Sequence, residues 1–209
     1  MGELFDLYDA AGQPLGRAKE RVLVHRDGDW HRSIHLWIVR TGGGLIFQRR
    51  SATKDTWPDR LAVSVGGHYA AGEGLPEVLR EAREEIGIPV DAAALLPLGT
   101  VRYEGGGEAG VIDRELQDVF LWPMDAPLGQ FRPDPVELAG VAELRAADLL
   151  ALLDGVALRI PATYAPAGIG AIGEVSLTLD DFEPSYPYFR QIAVAVLAWA
   201  SGGQPLLGG

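Results

Sequence analysis

The sequence contains no cysteine. Disulfide bonds, thiolate nucleophiles and cysteine metal sites are therefore excluded, and the absence fits a cytoplasmic protein. Long apolar runs are missing too. The longest, Ile192 to Ala200, is too short to cross a bilayer. The chain does not open with a basic region followed by an apolar stretch, so a secretory signal is not expected. Positive charge is scarce: 18 Lys and Arg stand against 29 Asp and Glu, giving a net charge of −11. That balance argues against a nucleic-acid polymer or an anionic membrane as partner. It leaves room for a small anionic substrate that arrives with its metal. No internal repeat is visible. What is present suffices for a core, because 47% of the 209 residues are hydrophobic. The length implies one domain, or one domain with an appendage.

The chain is organised around Gly66 to Ile88, GGHYAAGEGLPEVLREAREEIGI. Paired glycines lead into a short helix on which Leu75, Leu79, Ala82 and Ile86 share one face. Glu77, Glu81, Glu84 and Glu85 fall on the other. Residues three and four apart are neighbours on a helix, so Glu81, Glu84 and Glu85 repel one another. A hard divalent cation relieves that repulsion, and Mg²⁺ prefers carboxylate and phosphate oxygens. An isolated E-x-x-E-E is most often a solvated helix face. Here the glycine loop before the helix and Gly87 as its stop favour a metal site.

With these residues the stretch resembles the Nudix hydrolase signature, G-x5-E-x7-R-E-U-x-E-E-x-G-U, where U is bulky and apolar. Gly67, Glu73, Arg80, Glu81, Glu84, Glu85, Gly87 and Ile88 match it. Two departures stand out. Six residues separate Glu73 from Arg80, and Ala82 takes the first U position. The missing residue shortens the loop ahead of the helix, where Pro76 suits the first turn, and leaves the three glutamates in register. The resemblance implies the Nudix fold, an α/β (α+β) architecture with a mixed sheet between helices. It also implies Mg²⁺ or Mn²⁺ held on a substrate diphosphate.

Taken in order, Leu4–Tyr8 and Arg21–His25 read as the strands of an N-terminal hairpin spanning 3–24. Ser33–Arg40 and Leu45–Arg49 form a second hairpin about Gly42-Gly43-Gly44. Leu61–Val65 is a strand feeding the box. Leu98–Tyr103 and Val111–Trp122 flank a glycine-rich loop, Gly105–Gly110, and another strand falls near Val136–Leu144. Ala146–Leu153 is a helix closed by Asp154-Gly155. The expected division is a Nudix domain over 1–155, its core starting at 25, and a C-terminal extension over 156–209. In the extension Glu174–Leu179 alternates as a strand and Tyr188–Ala200 is an apolar helix with Phe189, Ile192, Val196 and Trp199 on one face. Such a helix is buried on its own domain or against a second subunit, so a homodimer is the alternative.

All four histidines, His25, His31, His35 and His68, lie near the box in sequence. Over His31–His68 the chain is similar to the isopentenyl-diphosphate isomerase branch of the Nudix superfamily. There three histidines and a glutamate bind metal. That resemblance assigns His25, His31, His68 and Glu115 as ligands of a second divalent ion, with Asp113 at a further acidic position. It carries diphosphate contacts onto Arg50, Lys54 and Arg21. Arginine grips phosphate oxygens in pairs and lysine supplies a point charge. His35 has no counterpart and reads as structural. The resemblance breaks at Gly66, where the isomerase holds its proton-transferring cysteine.

The sequence therefore favours Mg²⁺-dependent hydrolysis of a small diphosphate, nucleoside-type or prenyl-type. An isomerase, or a diphosphate-binding protein without turnover, is the alternative. Glu81, Glu84 and Glu85 would hold Mg²⁺, and Glu81, Glu115 and Glu137 are candidate bases for the attacking water.

Overall fold

The computed structural model describes residues 2–54, 56–106 and 111–207. The loop expected at Gly105–Gly110 thus falls mostly outside the described residues. Eleven strands join one mixed sheet, whose main path sets residues 173–177, 160–166, 138–145, 44–50, 30–39, 4–8 and 14–20 side by side in that order. Its axis is β3 (Trp30–Val39). This strand pairs in parallel with β8 (Ile112–Pro123) from Trp30 opposite Arg114 to Val39 opposite Pro123. Side chains alternate across a strand, and β3 uses both faces. Ile34, Leu36 and Ile38 pack with Val78, Ala82 and Ile86 of the box helix. Trp37 and Val39 face the opposite layer, with Leu149 of α4 (Ala146–Leu153) and Phe189, Ile192 and Val196 of α5 (Tyr186–Ala200). The sheet thus lies between helices, the Nudix arrangement that the signature implies.

The N-terminal hairpin is built differently from the sequence reading. β1 (Leu4–Tyr8) pairs with β2 (Pro14–Glu20), and the residues read as its return strand form α1 (Arg21–Asp27). Val22 and Val24 mimic strand alternation, but only Val24 is buried, against Phe5 and Leu7, while Val22 is exposed. Gly28 closes the helix in the left-handed conformation, its N–H donating to the Val24 carbonyl. The second hairpin forms, with β3 turning through Gly43 into β4 (Gly44–Arg50). The single strand expected over Leu61–Val65 divides. β5 (Leu61–Ala62) pairs with β4, and β6 (Val65–His68) crosses to β3. Ser64 fills the gap, accepting from the Ile38 N–H at 2.9 Å and donating to the Ile46 carbonyl.

β7 (Leu96–Gly106) pairs with β8. β9 (Leu138–Arg145) carries the strand expected near Val136–Leu144 and pairs with β4. An unforeseen strand, β10 (Ile160–Pro166), joins β9 to β11 (Gly173–Leu177). Its prolines argue against a strand, but they sit near its two ends. The aromatic packing of the lower layer reaches across the whole chain. Phe47 meets Trp37 at 5.1 Å, Phe182 at 5.2 Å and Phe189 at 5.3 Å between ring centres, all edge to face.

Candidate active site and metal centre

The box residues form a short loop and two helical turns, α2 (Leu75–Val78) and α3 (Arg80–Ile86), meeting at Leu79. Pro76 occupies the first turn of α2. The shortened spacing does not prevent the Glu73–Arg80 contact. Arg80 Nη1 donates to Glu73 Oε1 at 2.6 Å and Oε2 at 2.8 Å, while Glu73 Oε2 accepts from the Ala70 N–H at 2.9 Å. Arg80 Nη2 also reaches Glu81 Oε1 at 3.1 Å. Two glycines set the local geometry. A Cβ on Gly67 would lie 2.4 Å from Glu81 Cγ, and one on Gly87, at φ 74°, would lie 2.6 Å from Arg132 Cβ.

The three acidic residues differ in environment. Glu84 is exposed, Glu81 half-buried and Glu85 buried. Glu85 Oε2 faces the Gly66 N–H at 3.4 Å. Burial first, then the charge of Glu81, pushes the Glu85 carboxyl up to about 8. Glu81 is raised as well, burial again the leading cause. Stacked carboxylates in a partly dry site need a cation to be ionised together.

The histidine cluster lies on the other face of β3. Parallel pairing sets His31 opposite Glu115, and β6 sets His68 opposite Ser33. Helix α1 brings in His25, whose Nε2 is 3.3 Å from His31 Nε2. His68 Nε2 contacts Glu115 Oε1 at 3.0 Å. Glu115 Oε2 accepts from Ser33 Oγ at 2.7 Å and Gln117 Nε2 at 2.8 Å. Burial, then the charge of His68, lowers His25 and His31 to about 4, leaving both imidazoles neutral. Glu115 behaves oppositely. Burial opposes its charge, but the hydrogen bond and charge of His68 hold it well below the ordinary range.

Asp113 tests whether these residues suit a metal. Its Oδ1 is buried with no hydrogen-bond partner among the described residues, 3.6 Å from His31 Nε2 and 3.8 Å from His25 Nε2. Burial and the nearby Glu115 raise its carboxyl to about 7. A desolvated carboxyl oxygen beside two neutral ring nitrogens is a donor set that fits a cation. His31 Nδ1 lies 3.2 Å from the Asp29 carbonyl, so its proton belongs there and the Nε2 lone pair faces His25 Nε2 and Asp113. The donor atoms of His25, His31 and His68 lie within 4.8 Å of one another, as do those of His31, Asp113 and Glu115. A mixed set of imidazoles and carboxylates suits a divalent transition ion.

The basic residues are less uniform. Lys54 pairs with Glu137. Arg50 is turned onto Thr56, its Nε 2.7 Å from the carbonyl and Nη2 2.9 Å from Oγ1. Arg21 begins α1 and reaches Glu3 at 3.3 Å. Two groups that no motif marked also belong to this region. His35 is hydrogen-bonded to Tyr188, and Glu183 lies within electrostatic reach of Arg50 and Glu115. His35 lies directly opposite Gly66 of the box, while Tyr188 and Glu183 come from the C-terminal segment, far from the box in sequence, so spacing carries no trace of these contacts.

A β-sheet layered between helices, with a glutamate-lined box at its edge, is the architecture of the Nudix proteins, and the chain belongs to that family. The NUDIX domain model matches residues 29–164. Over 205 residues the chain is 31% identical to an uncharacterized Nudix hydrolase of Clostridium acetobutylicum, covering 93% of this chain and 97% of that one. It is 33% identical over 177 residues to the isopentenyl-diphosphate Delta-isomerase of Leifsonia xyli, covering 78% and 92% respectively. Among solved structures, DR0079 of Deinococcus radiodurans superposes with a TM-score of 0.57 at 25% identity, over 80% of this chain and 93% of that one.

Proposed function

We propose that this protein is a Mg²⁺-dependent hydrolase that cleaves the diphosphate bond of a small nucleoside diphosphate-type or prenyl diphosphate-type substrate. The observation that carries this reading is the intact box. Despite its missing residue, Arg80 holds Glu73 and Glu81, and Glu85 is seated against the Gly66 N–H. Glu81, Glu84 and Glu85 are the residues that would hold Mg²⁺. When bound, the ion neutralises the diphosphate and lowers the pKa of a coordinated water. Lys54 and Arg50 steady the phosphate being released, exchanging Glu137 and Thr56 for its oxygens.

Of the candidate bases, Glu81 is favoured. Glu115 already accepts three hydrogen bonds, and Glu137 is held by Lys54 until a phosphate displaces it, whereas Glu81 stands in the box itself. Glu81 is raised from its ordinary value, which brings it closer to the operating pH of a proton acceptor. The isomerase alternative has no side chain at position 66 with which to move a proton.

The test is release of phosphate or monophosphate from nucleoside di- and triphosphates, nucleotide sugars, dinucleotides and isopentenyl diphosphate, with and without Mg²⁺. Metal-dependent release that Glu85→Gln abolishes is the expected result. Turnover unchanged in that variant would overturn the metal assignment. Isomerised product without release would overturn the hydrolase.

A further inference from the structure

Three neighbouring strands carry side chains that the proposed reaction leaves unused. β3 lies beside β8, and β8 beside β7, so their residues fall into rows across the sheet. One row is Arg32, Leu116 and Arg102. The row before it on β3 is Trp30, Arg114 and Glu104, and the row after it is Ile34, Asp118 and Thr100. Residues paired across strands share a face, and so do alternate residues along one strand. All three rows therefore project on the side of Ile34, which packs with the box helix. The histidine–glutamate cluster occupies the opposite face.

The charges in these rows do not cancel. Asp118 is committed: it accepts from Thr100 Oγ1 at 2.9 Å and Tyr69 Oη at 3.1 Å, and it pairs with Arg32. Arg32 is fixed further by the Tyr69 ring, 4.7 Å from its guanidinium. Arg102 is held more loosely. Its guanidinium lies 4.7 Å from the Trp30 ring, and its ion pair with Glu104 is long, at 3.9 Å. Glu104 is closer to Arg114, at 3.3 Å. Three guanidiniums thus face two carboxylates, a local excess of positive charge on a chain of net charge −11. Tyr8 and the turn after it stand over the middle row. Asp9 Oδ1 pins that turn by accepting from the Ala11 and Gln13 N–H groups at 2.9 and 2.8 Å. A Cβ on Gly12 would touch Leu116 Cδ1 at 3.7 Å. Between turn and sheet lies a cavity of about 440 Å³, lined by Arg32, Arg102, Leu116, Tyr8, Ala10 and Ala11 among others. That is the size of a small-molecule pocket. None of the residues proposed to hold Mg²⁺ or the diphosphate lines it.

We infer that this cavity is a second binding site, for a small phosphate monoester whose phosphate is gripped between Arg32 and Arg102 and whose organic body lies over Leu116 against Ala10 and Ala11. Two strand spacings set the backbones of Arg32 and Arg102 about 10 Å apart, a gap that two long side chains close onto one anion. Each guanidinium keeps N–H groups beyond those its carboxylate uses, and a planar fork suits phosphate oxygens. A phosphate monoester presents three terminal oxygens, enough for both guanidiniums and the Tyr8 hydroxyl, where a carboxylate presents two. Arg32 is already ordered by Asp118 and Tyr69, so little freedom is lost when the anion binds.

The experiment titrates the ¹⁵N-labelled protein, in EDTA at low ionic strength, with glucose 6-phosphate, gluconate and glucose, and follows the indole N–H signals of the five tryptophans. Trp30→Phe identifies the Trp30 signal by its loss. Glucose 6-phosphate should shift that signal saturably, and glucose should leave it in place. Arg102→Gln should weaken the binding at least about ten-fold, as loss of a charge-assisted hydrogen bond implies. Arg102→Lys should recover part of it, since the charge returns without the fork. Lys54→Ala should bind the probe as the wild type does. No saturable shift, an unaltered affinity in Arg102→Gln, or binding lost in Lys54→Ala overturns the second site. Gluconate bound as tightly as glucose 6-phosphate overturns its assignment to phosphate. No turnover is read, so the outcome is independent of the hydrolase reading.

Discussion

Replacing Glu85 with Gln should stabilise the metal-free protein while removing its metal response. Glu85 is only 7% exposed, and its carboxyl is pushed up from 4.5 to about 8 by burial and by Glu81. In the unfolded chain the same group ionises near its ordinary value. Between these two values the native state binds a proton that the unfolded state has lost, so stability falls as pH rises through the window. Each unit corresponds to about 1.4 kcal/mol, or about 3 kcal/mol between pH 4.5 and 7. Glutamine has no proton to bind, and its amide oxygen can still accept from the Gly66 N–H. For a chain of this size, about 3 kcal/mol is worth roughly 6 to 12 °C in Tm. The assay is urea and thermal unfolding of both proteins in EDTA from pH 5 to 8, then at pH 7.5 with Mg²⁺ added. Asp113, Glu183 and Glu81 are also raised. They titrate in both proteins, so the difference between the two curves isolates Glu85. The variant should gain on the wild type as pH rises, and Mg²⁺ should stabilise only the wild type. Parallel curves would refute the buried-carboxyl reasoning, and equal stabilisation by Mg²⁺ would refute the ligand assignment.

Gly67→Ala forces Glu81 aside, since the new Cβ would sit 2.4 Å from its Cγ. Turnover should fall about 100-fold with little change in Tm, as a misplaced catalytic group implies. Gly87→Ala combines a left-handed backbone with a clash against Arg132 and should cost about 1–3 kcal/mol in urea unfolding. Asp113→Asn neutralises the unpartnered oxygen facing His25 and His31. Affinity for Mn²⁺ or Zn²⁺, measured by competition with a chromogenic chelator, should drop at least ten-fold if that oxygen is a ligand. Unchanged affinity would leave the cluster a hydrogen-bonded network. Lys54→Ala frees Glu137 and removes the proposed phosphate contact, so KM should rise several-fold more than kcat falls.

Much of this was legible because the box encodes local physics. A helix face, a glycine loop and a glycine stop lie within 23 consecutive residues, and each is a short-range consequence of residue type. The pairing of His31 with Glu115 was legible only through resemblance, since they stand 84 positions apart and parallel strands leave no local mark. Arg21–His25 was misread because apolar residues two apart suit a strand, whereas tertiary packing needed only Val24. β10 was missed because proline lowers strand propensity wherever it stands, and sequence does not say which N–H groups the ladder uses. His35 read as structural for want of a counterpart in the resemblance, and its hydrogen bond to Tyr188, 153 positions away, is a contact no local pattern marks.

The edge-to-face aromatic packing around Phe47 has a consequence for synthesis. Trp37 and Phe47 leave the ribosome early, but Phe189, Ile192 and Val196, which cover them, follow about 150 residues later. At cellular elongation rates that interval is roughly 8 to 30 s. Throughout it, the lower face of β3 and β4 lacks the cover of α5 in the nascent chain. Completion of the fold, and of the hydrogen bonds that Tyr188 makes with His35 and Trp37, therefore waits on the last helix. A truncated product would present an unfinished apolar surface to chaperones and proteases rather than a partly active enzyme.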